Sequence, residues 1–363
     1  MKAKTLSQLI TIFNPQQHLD ETQHHFFVNI FGKELDRFVT EIVHAPDKQT
    51  FFITGQSGNG KTSMLRNLQT EYSKELKAFH FFYLEGRDLL NLEDLNIEDV
   101  IFKIATKLMP LETISKENLT IDTIDTLNDI IKYYEDEVLK GQKKLVLVID
   151  DFEKLVIDDL NKTDDVYYKF LFEGIPYLKY LNCIKLVTFP FHFKNCAIIE
   201  DAVFKDFIVH LDATGSINVQ SIQEVILKRL DDTTLIAELE FIISSSGANM
   251  RQLIQIVHQA GLESETAKGT KIDKSDMLGA IGRLRKEFSE LIERDLEFYK
   301  YVHKHKGIDF QNEKHQALLT SALRNRTVFA YLFNESYYYA LNPVLVKLLE
   351  GRGKPRFFNI SEL

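Results

Sequence analysis

Gly55-Gln56-Ser57-Gly58-Asn59-Gly60-Lys61-Thr62 fits the pattern G-x-x-x-x-G-K-[ST] at every position, and nothing else in the 363 residues constrains the fold as strongly. Before it stands the apolar run Phe51-Phe52-Ile53-Thr54, the length of a buried strand. After it, Lys61-Thr62-Ser63-Met64-Leu65-Arg66-Asn67-Leu68 opens a helix with apolar residues at 64, 65 and 68. Strand, glycine loop and helix point backbone N–H groups and the positive end of the helix at one place, which suits a phosphate. In such a loop Gly55 to Gly60 and Ser63 line the phosphates. Lys61 reaches the β- and γ-phosphates, and the Thr62 hydroxyl holds Mg²⁺. The competing reading is an ordinary glycine-rich turn.

A parallel sheet is expected around this loop. Further strands are predicted at 79–84, 145–149, 183–189 and 207–211, separated by stretches with helical spacing such as Val100, Ile101, Ile104 and Leu108. This gives an α/β fold, a five-stranded parallel sheet with helices on both faces. Past Gly215 the pattern becomes helical. Asn249 is placed to cap a helix carrying Leu253, Ile256, Val257 and Ala260, and one long charged helix is expected from Lys274 to about Lys304. Residues 327–333 and 337–341 flank Asn334-Glu335-Ser336 as a hairpin. The expected division is a lead-in over 1–45, the sheet domain over 46–215, a helical lid over 216–285 and a helix–hairpin domain over 286–363, similar in order to a winged helix.

Asp150 follows Leu145-Val146-Leu147-Val148-Ile149 and so falls at the carboxyl edge of a buried strand, where open α/β sheets bind ligands. Its expected role is to hold Mg²⁺ through water, and its strand can lie beside that of the phosphate loop although the strand at 79–84 intervenes in sequence. Asn161-Lys162-Thr163-Asp164 matches a guanine-reading motif, but it follows no buried strand and is set aside. ATP is taken as the expected nucleotide, although adenine, held by apolar and backbone contacts, leaves no motif of its own.

Together these residues resemble the AAA+ branch of P-loop ATPases over about residues 20 to 285, among them origin-recognition, transposition-regulator and defence-switch ATPases. The resemblance implies several further roles. Asp151 stands where the family usually has a water-polarising glutamate; Glu153 is a substitute, and the shorter acid implies slow turnover. A helix N-terminal carboxylate is the other reading of Asp151. Thr188 is the candidate first sensor and Arg251 the candidate second sensor, each with an ordinary structural role as the alternative. The intersubunit arginine is missing, because Asp151 to Gly215 contains no arginine, and Lys205 stands in its place. Phe26 and Phe27 are candidates for packing on the base.

The implied function is an ATP-gated regulatory switch, homo-oligomeric and with a protein partner, in bacterial defence among other settings. Two alternatives stay open: a DNA-associated ATPase of replication or transposition, and a nucleotide-binding scaffold with little turnover. The net charge of −9 does not favour nucleic acid, yet from Met250 onward 18 basic residues outnumber 14 acidic ones. Arg324, Arg326, Arg352, Lys354 and Arg356 are the candidate phosphate contacts there. Two cysteines outside any metal-ligand spacing, no apolar signal core and no bilayer-length apolar run lead to the expectation of a cytoplasmic protein without a membrane partner.

Overall fold

The computed structural model describes residues 2–17, 19, 21–85, 97–109, 123–150, 175–189, 191, 203–211 and 217–350. The chain forms two compact units. One contains 33–55 and 65–206, and the other contains 1–32, 56–64 and 207–363.

The first unit is built on five parallel strands: β1 Thr50–Thr54, β2 Phe79–Glu85, β3 Lys144–Asp150, β4 Ile184–Thr188 and β5 Val203–Asp206. Their order in the sheet is β2-β3-β4-β1-β5. β1, β3 and β4 are almost continuously apolar and buried, as strands covered on both faces must be. Helices α4 Ile97–Leu108 and α5 Thr123–Tyr133 contribute Val100, Ile104, Leu127 and Ile131 to the core formed with Leu145, Leu147, Ile149 and Val187. α2 Lys33–His44 buries Leu35, Phe38, Val39 and Ile42, with the Phe38 ring edge-on to Phe51 of β1. α3 Lys61–Glu71 follows the glycine loop directly.

Two expectations about the sheet are corrected. β3 does not lie beside β1; β4 sits between them and pairs in parallel with both. The fifth strand is Val203–Asp206 rather than 207–211, and β6 Val209–His210 leaves that sheet to pair with a C-terminal strand.

The second unit is mainly helical: α1 Leu6–Ile12, α6 Val219–Leu227, α7 Leu239–Ser246, α8 Met250–Thr266, α9 Lys274–Arg294, α10 Leu296–His305, α11 Glu313–Arg324 and α12 Val346–Glu350. The expected single helix over 274–304 is two, because Asp295 adopts φ −128°, ψ 38° and its carbonyl starts a new turn by accepting from Phe298. β7 Val328–Phe333 and β8 Ser336–Leu341 form the expected hairpin, with β6 completing a three-stranded sheet. Asn334 and Glu335 both have positive φ, the two-residue turn that matches strand twist. Phe329, Tyr331 and Tyr339 are buried, so much of the aromatic stripe is core. The Tyr331 hydroxyl donates to the Gly247 carbonyl at 2.9 Å.

Gly247 ends α7 in the left-handed region (φ 58°), where a Cβ would lie 2.7 Å from the Phe329 ring and 3.0 Å from Pro343 Cδ. Gly282 in α9 has open space around it. Gly247→Ala should therefore destabilise the protein by about 1–3 kcal/mol, whereas Gly282→Ala should stabilise it by about 0.5–1 kcal/mol; thermal melts of both variants distinguish the two cases.

Lys185 is a lysine inside the sheet, buried on β4, where its ammonium donates to the carbonyls of Leu181 (3.0 Å) and Lys48 (2.8 Å). Burial pushes its pKa down to about 8. Between about 8 and the unfolded value near 10.5 the unfolded chain binds more protons, so this group adds stability as pH rises. Relative to Lys185→Met, the wild type should gain about 2 kcal/mol between pH 7 and pH 10, read by urea unfolding at each pH.

Candidate phosphate-binding loop

Residues 56–64 belong to the same unit as α8 and the hairpin, and the loop is held there by side chains and by a backbone hydrogen bond. Asn249 caps α8, its Oδ1 accepting from Gln252 N at 3.1 Å. The Nδ2 of the same amide donates to the Ser57 carbonyl at 2.8 Å and to Asn59 Oδ1 at 3.1 Å. The Arg251 N–H donates to the Gly58 carbonyl at 3.0 Å, which puts Arg251 in the first turn of α8 against the loop.

Gly58 has φ 88°, and a Cβ there would lie 2.6 Å from Asn249 Oδ1 and 2.9 Å from Arg251 Cβ. Gly60 has the same left-handed φ of 88°. Glycine is thus required twice over at 58, by backbone conformation and by close approach.

Gln56 is nearly fully buried and its side chain reaches the other way. Its Nε2 donates to the carbonyls of Val328 (2.6 Å) and Leu323 (3.4 Å), and its Oε1 accepts from the Ala330 N–H at 3.1 Å. One side-chain amide therefore occupies the edge of β7 as a strand backbone would. Lys61 is buried, with Nζ donating to the Gln56 carbonyl at 3.3 Å, and Thr62 and Asn59 are buried as well. The Ser63 hydroxyl accepts from Leu19 N at 3.3 Å. Gly55 follows the last residue of β1 at φ 150°.

The remaining candidates fall as follows. Asp150 ends β3 and Thr188 ends β4, at the carboxyl edge of the parallel sheet, and both are buried. Asp151, Glu153, Arg352, Lys354 and Arg356 lie outside the described residues, as does Asn161 to Asp164. Lys205 lies within β5 rather than ahead of it, in an ion pair with Glu41 of α2. Phe26 and Phe27 are buried; the Phe26 ring lies 5.5 Å from the Arg229 guanidinium, and the Phe27 carbonyl accepts from Lys228. Sequence reasoning found Asn249 as a cap but not as a clamp on the loop. It also gave no sign of the link from Gln56 to β7, since the partners are more than 270 residues away.

The donor set fits a phosphate-bearing ligand with a divalent cation. It provides a loop with two left-handed glycines, a buried ammonium, a hydroxyl at the start of a helix and the orphaned buried Asn59 Nδ2. In Gly58→Ala the new methyl displaces Asn249, so the cap and the loop bonds are lost together. The expected result is a melting temperature several degrees lower and loss of any upward shift on adding ATP and Mg²⁺, measured by thermal melts with and without nucleotide.

No family model matches the chain, and no curated protein matches it. Matching solved structures include Cdc6p from Pyrobaculum aerophilum at 15% identity and TM-score 0.45, over 94% of this chain and 98% of that one. The Aeropyrum pernix ORC2 protein matches at 13% and 0.48, over 93% and 95%. The Thermotoga maritima RuvB Holliday junction branch migration motor matches at 14% and 0.46, over 93% and 98%. Among the described residues, no helix is long and apolar enough to cross a membrane. The motif, the strand order β2-β3-β4-β1-β5 and the capped helix at Asn249 resemble a AAA+ P-loop ATPase.

Proposed function

We propose that this chain binds ATP–Mg²⁺, hydrolyses it slowly and works as an ATP-gated switch that controls assembly with further copies and with a protein partner. The observation that carries the reading is the docking of the α8 N-terminus on the phosphate loop, through Arg251 N–H on Gly58 O and Asn249 on Ser57 and Asn59. A helix start joined to such a loop is suited to respond to the ligand the loop holds.

Bound ATP–Mg²⁺ supplies a terminal phosphoanhydride and the cation that neutralises its charge. Lys61 and the loop N–H groups hold the phosphates, and Thr62 and Asp150 hold the cation. Arg251 adds positive charge from the first turn of α8. Thr188 at the end of β4 positions the attacking water, and Asp151 accepts its proton, with Glu153 as the substitute that the sequence offers. An aspartate in this role reaches less far than a glutamate, which supports slow turnover and a long-lived ATP state. Residues 46–215 act as the ATPase core, 216–285 as the helical lid and 286–363 as the helix–hairpin domain.

A second reading, association with DNA, is favoured by the basic balance after Met250. Retention on DNA that falls steeply with salt would support it, and no retention at low salt would remove it.

The deciding measurement is mass by size-exclusion chromatography with light scattering, in ADP, ATP and a slowly hydrolysed ATP analogue. Wild type should assemble with the triphosphates and not with ADP, while Lys61→Ala stays small in all three. One mass for wild type in every nucleotide state sinks the assembly switch and moves a non-assembling scaffold ahead.

A further inference from the structure

The corner where the phosphate loop meets the α8 N-terminus and the α11–β7 connection holds more positive charge than its hydrogen bonds account for. Arg326 lies on that connection with a left-handed backbone (φ 60°). Its carbonyl accepts from Asn342 Nδ2 at 2.8 Å and its N–H reaches the Leu323 carbonyl at 3.3 Å, so the backbone is fixed on both sides. Two residues on, the Val328 carbonyl is held by the Gln56 side chain of the phosphate loop. On the other side of the loop, Arg251 is seated on Gly58. The backbones of both arginines are thus tied to the same loop, Arg251 directly through Gly58 and Arg326 through the Leu323 carbonyl it shares with the Gln56 side chain.

Their charges are close enough to interact. The Arg326 guanidinium is pushed down to about 10, mainly by burial and then by the Arg251 cation, with Glu287 of α9 acting in the opposite direction. Arg326 Nη1 is buried and has no hydrogen-bond partner. Asn59 Nδ2, in the loop itself, is in the same condition. Among the described residues only one other buried side-chain atom, Thr50 Oγ1, shares it. Buried donors are rarely left unpaired, and a buried guanidinium under the influence of a second cation is favoured by an added anion. An anionic acceptor with several oxygens answers both conditions, and a guanidinium suits phosphate better than any other side chain.

We propose that Arg326 is a second phosphate-contacting cation, set opposite Arg251 and directed at the terminal phosphate of the bound nucleotide, so that the C-terminal helix–hairpin segment distinguishes triphosphate from diphosphate. This rests on the nucleotide reading above and extends it to a residue outside the recognisable motifs. Arg326 is then withdrawn from the set of exposed cations that would meet nucleic acid.

The test compares binding of fluorescent ATP and ADP analogues, with Mg²⁺, by wild type, Arg326→Gly, Arg251→Gln and the double variant, alongside melting curves without nucleotide. Glycine keeps the left-handed backbone at 326 while removing the guanidinium. Arg326→Gly should bind the ATP analogue about 10–100-fold more weakly and the ADP analogue less than about threefold more weakly, with an unchanged or higher melting temperature. The loss of both arginines should be smaller than the product of the two single effects, because they share one phosphate. If Arg326→Gly fails to fold, Arg326→Gln is judged by the same ATP/ADP ratio. A ratio equal to that of wild type, whether both affinities stay or both fall together, overturns the role of Arg326 and leaves the nucleotide reading standing. A wild type that binds neither analogue overturns both.

Discussion

The Asn249 side chain is the smallest part on which most of the second unit's organisation depends. Its oxygen caps α8 and its nitrogen holds Ser57 and Asn59, about 190 residues earlier in the chain. An N-cap alone contributes about 1 kcal/mol. Here the same planar group also fixes the loop, so the start of α8 and the path of residues 57–59 cannot vary independently. The tight approach at Gly58 makes this a constraint and not merely an attraction, since there is no room for another arrangement with a side chain at 58.

Next to that amide in α8, Gln252 is buried and reciprocally paired with Asn342. Gln252 Nε2 donates to Asn342 Oδ1 and to the Ser245 carbonyl, both at 2.9 Å, while Asn342 Nδ2 donates back to Gln252 Oε1 at 2.7 Å. Gln56 treats β7 in the same manner. Fully satisfied amides of this kind contribute modest net stability each, but losing one strands its partners at about 1–3 kcal/mol apiece. The consequence is specificity of arrangement: α7, α8, the hairpin and the phosphate loop fit together in one register, because any slip leaves several buried donors and acceptors unmatched. Gly247 enforces the same register sterically, under Phe329 and Pro343.

Local patterns carried a large part of this into the sequence. The glycine loop between an apolar strand and a helix, the buried run ending at Asp150, the Asn249 cap and the Asn334-Glu335 hairpin are each written in adjacent residues and form as read. The failures share one cause, a decision made by distant packing. The apolar run Phe207 to Leu211 reads as the fifth strand, yet Val203–Asp206 takes that place and Val209–His210 pairs in another sheet, with no glycine or proline to mark the break. The turn at Asp295 is equally unmarked. The insertion of β4 between β1 and β3 is a matter of pairing, which no local pattern records. Arg326 reads as a surface cation because composition alone does not show that its carbonyl is held by Asn342 or that its N–H shares the Leu323 carbonyl with Gln56.

The link from Gln56 to β7 has a thermodynamic corollary. The second residue of the phosphate loop cannot shift without breaking or carrying along its bonds to Val328 and Ala330. If nucleotide binding reorganises the loop, its free energy therefore includes whatever the hairpin gains or loses in following. Linkage makes the effect mutual: a partner that restrains the hairpin changes nucleotide affinity by the same factor that nucleotide changes partner affinity. Two or three buried hydrogen bonds bound that factor at about 1–3 kcal/mol, or about 5- to 150-fold. That is enough to switch an assembly, and it requires no large motion, only that the hydrogen bonds between the Gln56 amide and the strand be either kept or lost.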